Sequence, residues 1–119
     1  MNQAYAIVQK KKKRAATYYR SLGFEVVAQN YRYCKAEIDL IAQKADLLVA
    51  VEVKARSSNA FGVPHSFISP KKIKLLVMAM DAYVQQRNLE VTVRFDVISY
   101  TLSSGKWIRG HIENAFYPF

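Results

Sequence analysis

Ala4, Ile7, Val8, Ala15, Tyr18, Tyr19 and Leu22 recur at spacings of three and four, which predicts a helix over 4–22 stopped by Gly23. The run Lys10–Arg14 interrupts this stripe with five consecutive basic residues. At about 100° per residue such a run wraps the whole helix. Lys11 therefore falls on the apolar side, where either its stem snorkels or the helix loosens. From Phe24 the period changes. Phe24, Val26, Val27 and the alternation Tyr31-Arg32-Tyr33 predict a strand over 24–33, with an irregularity at Gln29-Asn30. Over 37–42 the alternation predicts Ile38, Leu40 and Ala42 on one face and Glu37, Asp39 and Ile41 on the other. Leu47–Lys54 is continuous and β-rich, as expected of a strand well inside a sheet.

Residues 55–69, with Gly62, Pro64, Asn59 and the pair Ser57-Ser58, predict a loop. Ser69-Pro70 predicts a helix start, with Ser as N-cap and Pro at the first helical position. Ile73, Leu76, Val77, Met80, Tyr83 and Val84 mark one face of that helix, which runs to about Asn88. A strand over 91–101 and a short one over 107–112 complete the order. The expected fold class is α/β. An antiparallel meander of three strands is followed by a crossover helix that sets the next strand parallel to the third, giving a mixed sheet flanked by helices.

The length of 119 residues allows a single domain, 1–119, with a basic N-terminal helix. A hydrophobic fraction of 51% excludes a wholly disordered chain. Net charge is +9, and its distribution is uneven: residues 1–35 hold eight Lys or Arg against the single acid Glu25. That asymmetry points to a polyanionic partner, beside the plainer reading of a surface kept soluble by lysine. One cysteine, Cys34, excludes an internal disulfide framework and fits a reducing, cytoplasmic setting. The longest apolar runs, such as Leu47–Val51, are too short to span a bilayer, and no secretory signal is visible.

Acidic residues inside apolar strands are the unusual feature, because strand interiors disfavour Asp and Glu. Glu52 and Lys54 project from the same strand face, opposite Val51 and Val53. A hairpin turning between Ala45 and Asp46 places Asp39 across from Glu52. Two carboxylates that close repel unless a cation lies between them. A hard divalent ion, Mg²⁺ or Mn²⁺, held by Asp39, Glu52 and the Val53 carbonyl resolves the conflict. Lys54 would then orient water and stabilise charge developing on a phosphodiester. The competing reading is an ordinary cross-strand ion pair on a solvated face.

The segments Ala36-Glu37-Ile38-Asp39-Leu40-Ile41, Val51-Glu52-Val53-Lys54-Ala55-Arg56, Phe61-Gly62, Lys72 and Arg94-Phe95-Asp96-Val97 resemble the YraN-like family of small bacterial proteins. The resemblance runs from about Tyr18 to Tyr100. It implies a restriction-endonuclease-like core, similar to Holliday-junction resolvases, and a metal-dependent nuclease-type site. Position by position it implies catalytic roles for Asp39, Glu52 and Lys54, with Glu37 as the acidic residue two before the Asp. Two positions depart from the family pattern. Ala36 replaces a usual Gly, and Lys12 stands where the first helix usually carries a Glu.

The remaining candidates are contacts to nucleic acid. Lys10, Lys11, Lys12, Lys13 and Arg14 offer phosphate ligands or else a solvated helix face. Arg32 between Tyr31 and Tyr33 suits a base-stacking surface, although such tyrosines also serve half in a core. Arg56 and Lys72 are placed to hold phosphates near the carboxylates. Arg94 and Asp96 pair with each other, and His65 and His111 lack ligand spacing. The aromatic segment Phe116–Phe119 docks on its own sheet or serves a homodimer contact. The expected function is a Mg²⁺-dependent nuclease-like activity on nucleic acid, DNA before RNA and branched DNA included. The alternative is a non-catalytic binding module on the same fold, and a protein-interaction subunit is more distant.

Overall fold

The computed structural model describes residues 3–57 and 68–116. Phe61, Gly62, His65 and the last three residues of the aromatic tail lie outside the described residues. Helix α1 spans Gln3–Ser21 and buries Ala15, Ala16 and Tyr19. Its end is fixed by Gly23 at φ +92°, a conformation that suits glycine, which lets the Phe24 N–H donate to the Tyr19 carbonyl at 3.0 Å. The helix runs unbroken through the basic tract. Lys11 snorkels instead, its ammonium 4.1 Å from the centre of the Trp107 ring.

Strands β1 (Glu25–Tyr33), β2 (Ala36–Lys44) and β3 (Leu47–Ser57) form the expected meander. Helix α2 (Pro70–Gln86) follows, then β4 (Thr92–Ser103) and β5 (Lys106–Ile112). The five strands lie in the order β1-β2-β3-β4-β5. Among the described residues only β3 and β4 pair in parallel, so the sheet is mixed and flanked by α1 and α2. The Ser69 hydroxyl caps α2 by accepting from the Lys72 N–H at 3.1 Å, with Pro70 in the first turn. The β4–β5 turn is Ser104-Gly105, both at positive φ, as a two-residue hairpin requires.

Three local expectations change. Strand β3 continues past Lys54 to Ser57, because its parallel ladder with β4 extends to Ser57↔Leu102. An unexpected register shift falls between Val26 and Ala28 of β1, in addition to the expected irregularity at Gln29-Asn30. Asn30 does adopt φ +52°, yet Gln29↔Leu40 and Tyr31↔Ile38 keep the ladder in step around it. Ile38 does not share a face with Leu40. It joins Ile41 and Leu76 on the α2 side, whereas Leu40 and Ala42 pack with Tyr19 on the α1 side. The alternation slips at Asp39, where β2 loses β3 as a partner.

The two cores lie on opposite sheet faces. Under α1, Ala15, Ala16 and Tyr19 meet Leu40, Val49, Val51, Val53, Ile98 and Tyr100. Under α2, Leu76, Ala79, Met80 and Tyr83 meet Ile41, Leu48, Ala50 and Phe95. Tyr31 is half-buried there, its ring edge-on to Tyr83 at 5.2 Å, so it serves the core. Phe116 stacks on Phe95 at 4.9 Å, which ties the chain after β5 to its own sheet.

Candidate active site

The site originates in a fork of the sheet. Strands β2 and β3 pair from Lys44↔Leu47 to Leu40↔Val51 and then separate. Beyond that point β2 stays with β1 as far as Ala36, and β3 stays with β4. This is the register of a hairpin turning between Ala45 and Asp46. At the opening the Asp39 carboxylate replaces a ladder acceptor, its Oδ2 taking the Val53 N–H at 2.8 Å. A cavity of about 460 Å³ opens there, lined by Asp39, Glu52, Lys54 and Glu37 from the sheet, Lys12 from α1 and Lys72 from α2.

Asp39 and Glu52 are 8% and 5% exposed. Both line the same cavity. Burial, reinforced by the charge of Asp39, pushes the Glu52 carboxyl up to about 7, even though Lys72 opposes the shift. Lys54 Nζ lies 3.6 Å from Glu52 Oε2, and Lys72 forms an ion pair with the same oxygen. Burial lowers the Lys54 ammonium, and the neighbouring Lys72 charge adds to that while Glu52 opposes it. Burial also works against Lys72, but its bond to Glu52 outweighs the penalty and its pKa rises.

On the α1 side, Lys12 enters the same cavity. Its Nζ donates to Asn30 Oδ1 at 3.0 Å and lies 3.2 Å from Asp39 Oδ1 and 3.7 Å from Glu37 Oε1. Glu37 is also held by Arg32 at 2.9 Å. Of the five basic residues in the tract, Lys10, Lys13 and Arg14 are exposed, whereas Lys11 and Lys12 are turned inward. Arg56 is half-buried two positions beyond Lys54 on β3. Lys35 and Lys71 also line the cavity. Sequence reasoning passed over both, because neither lies in a motif and only the fork brings the β1–β2 turn and the α2 start together.

A second polar centre also escaped it. Asp96 is 1% exposed. It accepts from Tyr19 Oη at 2.6 Å, from Arg94 Nε and Nη2 at 2.9 and 3.0 Å, and from the Asn114 N–H at 3.1 Å. His111 Nε2 lies 2.9 Å away. Burial opposes the Asp96 charge, but these donors outweigh it and hold the carboxyl below its ordinary value. Arg94 and Asp96 are indeed paired, as part of a clamp joining α1, β4 and β5.

The donor chemistry at the fork suits a hard divalent ion. Asp39 and Glu52 are buried oxygen donors close enough to disfavour double ionisation without a cation. Among the described residues no three His, Cys, Asp or Glu side chains form a metal-binding group. Val53 also lines the cavity, and its backbone carbonyl could serve beside the two carboxylates, with water completing the coordination of a hard ion. Among the same residues, no helix is long and apolar enough to cross a membrane.

These features define a class: a small α/β protein with a buried carboxylate–lysine cleft where a mixed sheet forks. The profile of Uncharacterised protein family UPF0102 matches residues 11–100, and the chain belongs to that family, the one the YraN-like resemblance indicated. It is 43% identical over 105 residues to a UPF0102 protein of Christiangramia forsetii, covering 88% of each chain. Identity to a UPF0102 protein of Flavobacterium psychrophilum is 45% over 97 residues, 82% of each chain. A UPF0102 protein of Bacteroides thetaiotaomicron is 38% identical over 104 residues, 87% of this chain and 86% of the relative. The matched segment contains Lys12, Glu37, Asp39, Glu52, Lys54 and Lys72.

Proposed function

We propose that the chain is a Mg²⁺- or Mn²⁺-dependent nuclease-type protein that hydrolyses nucleic-acid phosphodiesters at the fork, with DNA, including branched DNA, as the preferred substrate. The observation that carries this reading is the convergence of Asp39, Glu52 and Lys54 in one cavity. An ion held by Asp39, Glu52 and the Val53 carbonyl supplies positive charge at a phosphoryl oxygen and acidifies water when bound. Lys54 positions the attacking water and stabilises the negative charge that builds as the new P–O bond forms and the bond to the leaving sugar oxygen breaks. Lys72 keeps Glu52 in place and offers its partly exposed ammonium to a flanking phosphate. Lys35 and Lys71 line the same cavity and offer further charge to the backbone, and the exposed Lys10, Lys13 and Arg14 of α1 add phosphate ligands outside the cavity. The reducing cytoplasm suits this activity and the exposed free thiol of Cys34.

A second reading is a binding module on the same fold without turnover. One observation favours it: the Lys12 ammonium lies against Asp39. Purified protein incubated with branched, single-stranded and duplex DNA in Mg²⁺ or Mn²⁺ tests the choice. We expect cleavage by the wild type and a loss of about 10²–10³ in rate for Lys54→Ala. Binding without cleavage of any substrate form refutes the nuclease reading in favour of the binding module.

A further inference from the structure

We infer that Lys12 is a built-in counter-ion of the carboxylate cleft, so that a divalent ion enters only by displacing its ammonium from Asp39. The inference rests on the metal-dependent reading of the fork. Asp39 has two carboxylate oxygens, and Oδ2 is already committed to the Val53 N–H at 2.8 Å. Oδ1 has no backbone donor and is the more open to a cation, and Lys12 Nζ lies 3.2 Å from it. An ammonium and a hard dication therefore compete for one atom.

Lys12 does not reach this place by chance flexibility. It lies on the buried side of α1 with Ala15 and Ala16, three and four residues on, and these small side chains hold the helix directly against the sheet. Its side chain is 11% exposed. Lys12 also keeps alternative partners, since Asn30 Oδ1 at 3.0 Å and Glu37 Oε1 at 3.7 Å remain when Asp39 is given up. In the metal-free protein the ammonium bridges Asp39, Asn30 and Glu37, and with a metal ion on Asp39 it falls back on Asn30 and Glu37 alone. In the first arrangement it balances the carboxylate, and in the second it adds positive charge to the rim. A lysine here lowers divalent-ion affinity relative to the same cleft with a neutral or acidic side chain, because its charge is both competitive and repulsive.

The test is a Mn²⁺ titration followed by electron paramagnetic resonance on the full chain, at a pH above the Glu52 transition. Wild type, Lys12→Gln, Lys12→Glu and Asp39→Asn are compared. We expect Lys12→Gln to bind Mn²⁺ about tenfold more tightly than wild type or better. Lys12→Glu should bind more tightly still, and Asp39→Asn should lose the site. Equal or weaker affinity in Lys12→Gln overturns the inference. A second measurement on the unaltered protein keeps it testable should a Lys12 variant fail to fold. Mass-spectrometric mapping of amine acetylation should show Lys12 labelling rising several-fold when Mn²⁺ is added, with Lys10 and Lys13 as internal references. Unchanged Lys12 labelling at saturating Mn²⁺ overturns it. Lys12→Gln that binds Mn²⁺ tightly but cuts no DNA upholds the counter-ion and refutes the nuclease. Metal-dependent cleavage by the wild type with no change in Lys12→Gln affinity does the reverse.

Discussion

Glu52 should make the folded protein lose stability as pH rises, the opposite of an ordinary paired carboxylate. Its carboxyl is 5% exposed and faces Asp39, and its pKa moves from 4.5 to about 7 on folding. Between those values the folded state holds more protons than the unfolded chain. The slope of unfolding free energy with pH is then negative, and the contribution declines from about pH 4.5 and is exhausted above about 7. At 1.36 kcal/mol per pH unit, that shift corresponds to roughly 3 kcal/mol at full extent. Urea unfolding across this window, with and without Glu52→Gln, isolates the effect, since the amide removes the titration and leaves the other groups in place. The wild type should fall relative to Glu52→Gln as pH rises, and added Mg²⁺ should restore wild-type stability at the alkaline end. Parallel pH profiles of the two proteins would refute the close carboxylate pair.

Three further outcomes follow from the same geometry. Asp96→Ala leaves Arg94, Tyr19 and His111 without their shared acceptor, and should cost about 3–5 kcal/mol in chemical denaturation. Gly110→Ala brings a Cβ to 2.6 Å from Ser99 Oγ, and should cost about 1–3 kcal/mol, most of it recovered in a Ser99→Ala background. Neutralising the exposed Lys10, Lys13 and Arg14 should weaken nucleic-acid binding at all sequences alike. The slope of log affinity against log salt should become shallower by about 0.9 for each duplex phosphate that is no longer neutralised, which fluorescence anisotropy at several salt concentrations measures.

Local, short-range signals were legible in the chain. The two-residue turn at Ala45-Asp46 sets the β2–β3 register, which runs to Leu40↔Val51 and brings Asp39 and Glu52 to the two sides of the fork. Ser69-Pro70 marks the start of α2 by capping chemistry that needs no tertiary partner. The apolar phase of α1 implied that Lys11 would snorkel or the helix would loosen, and the helix stays whole with the Lys11 ammonium against Trp107. What stayed hidden depends on contacts far apart in sequence. Arg94-x-Asp96 read as a simple pair because Tyr19, His111 and Asn114 approach Asp96 only in the fold. Apart from the family pattern, which usually has a Glu there, Lys12 read as one phosphate ligand among five, because nothing local distinguishes it from Lys13. The fork and the packing of Ala15 and Ala16 turn it onto Asp39. Ile38 read as a partner of Leu40 because alternation assumes a continuous ladder, and β2 loses β3 at that point.

The central claim is that Asp39 serves cleavage rather than attachment. Its most direct test is to measure binding and cleavage of the same DNA by wild type and Asp39→Asn. If the cleft takes a phosphate, removing one negative charge from it should leave metal-free binding as tight as wild type or tighter. Cleavage in Mg²⁺ should disappear. Cleavage that persists in Asp39→Asn, or binding that disappears together with cleavage, would contradict the account.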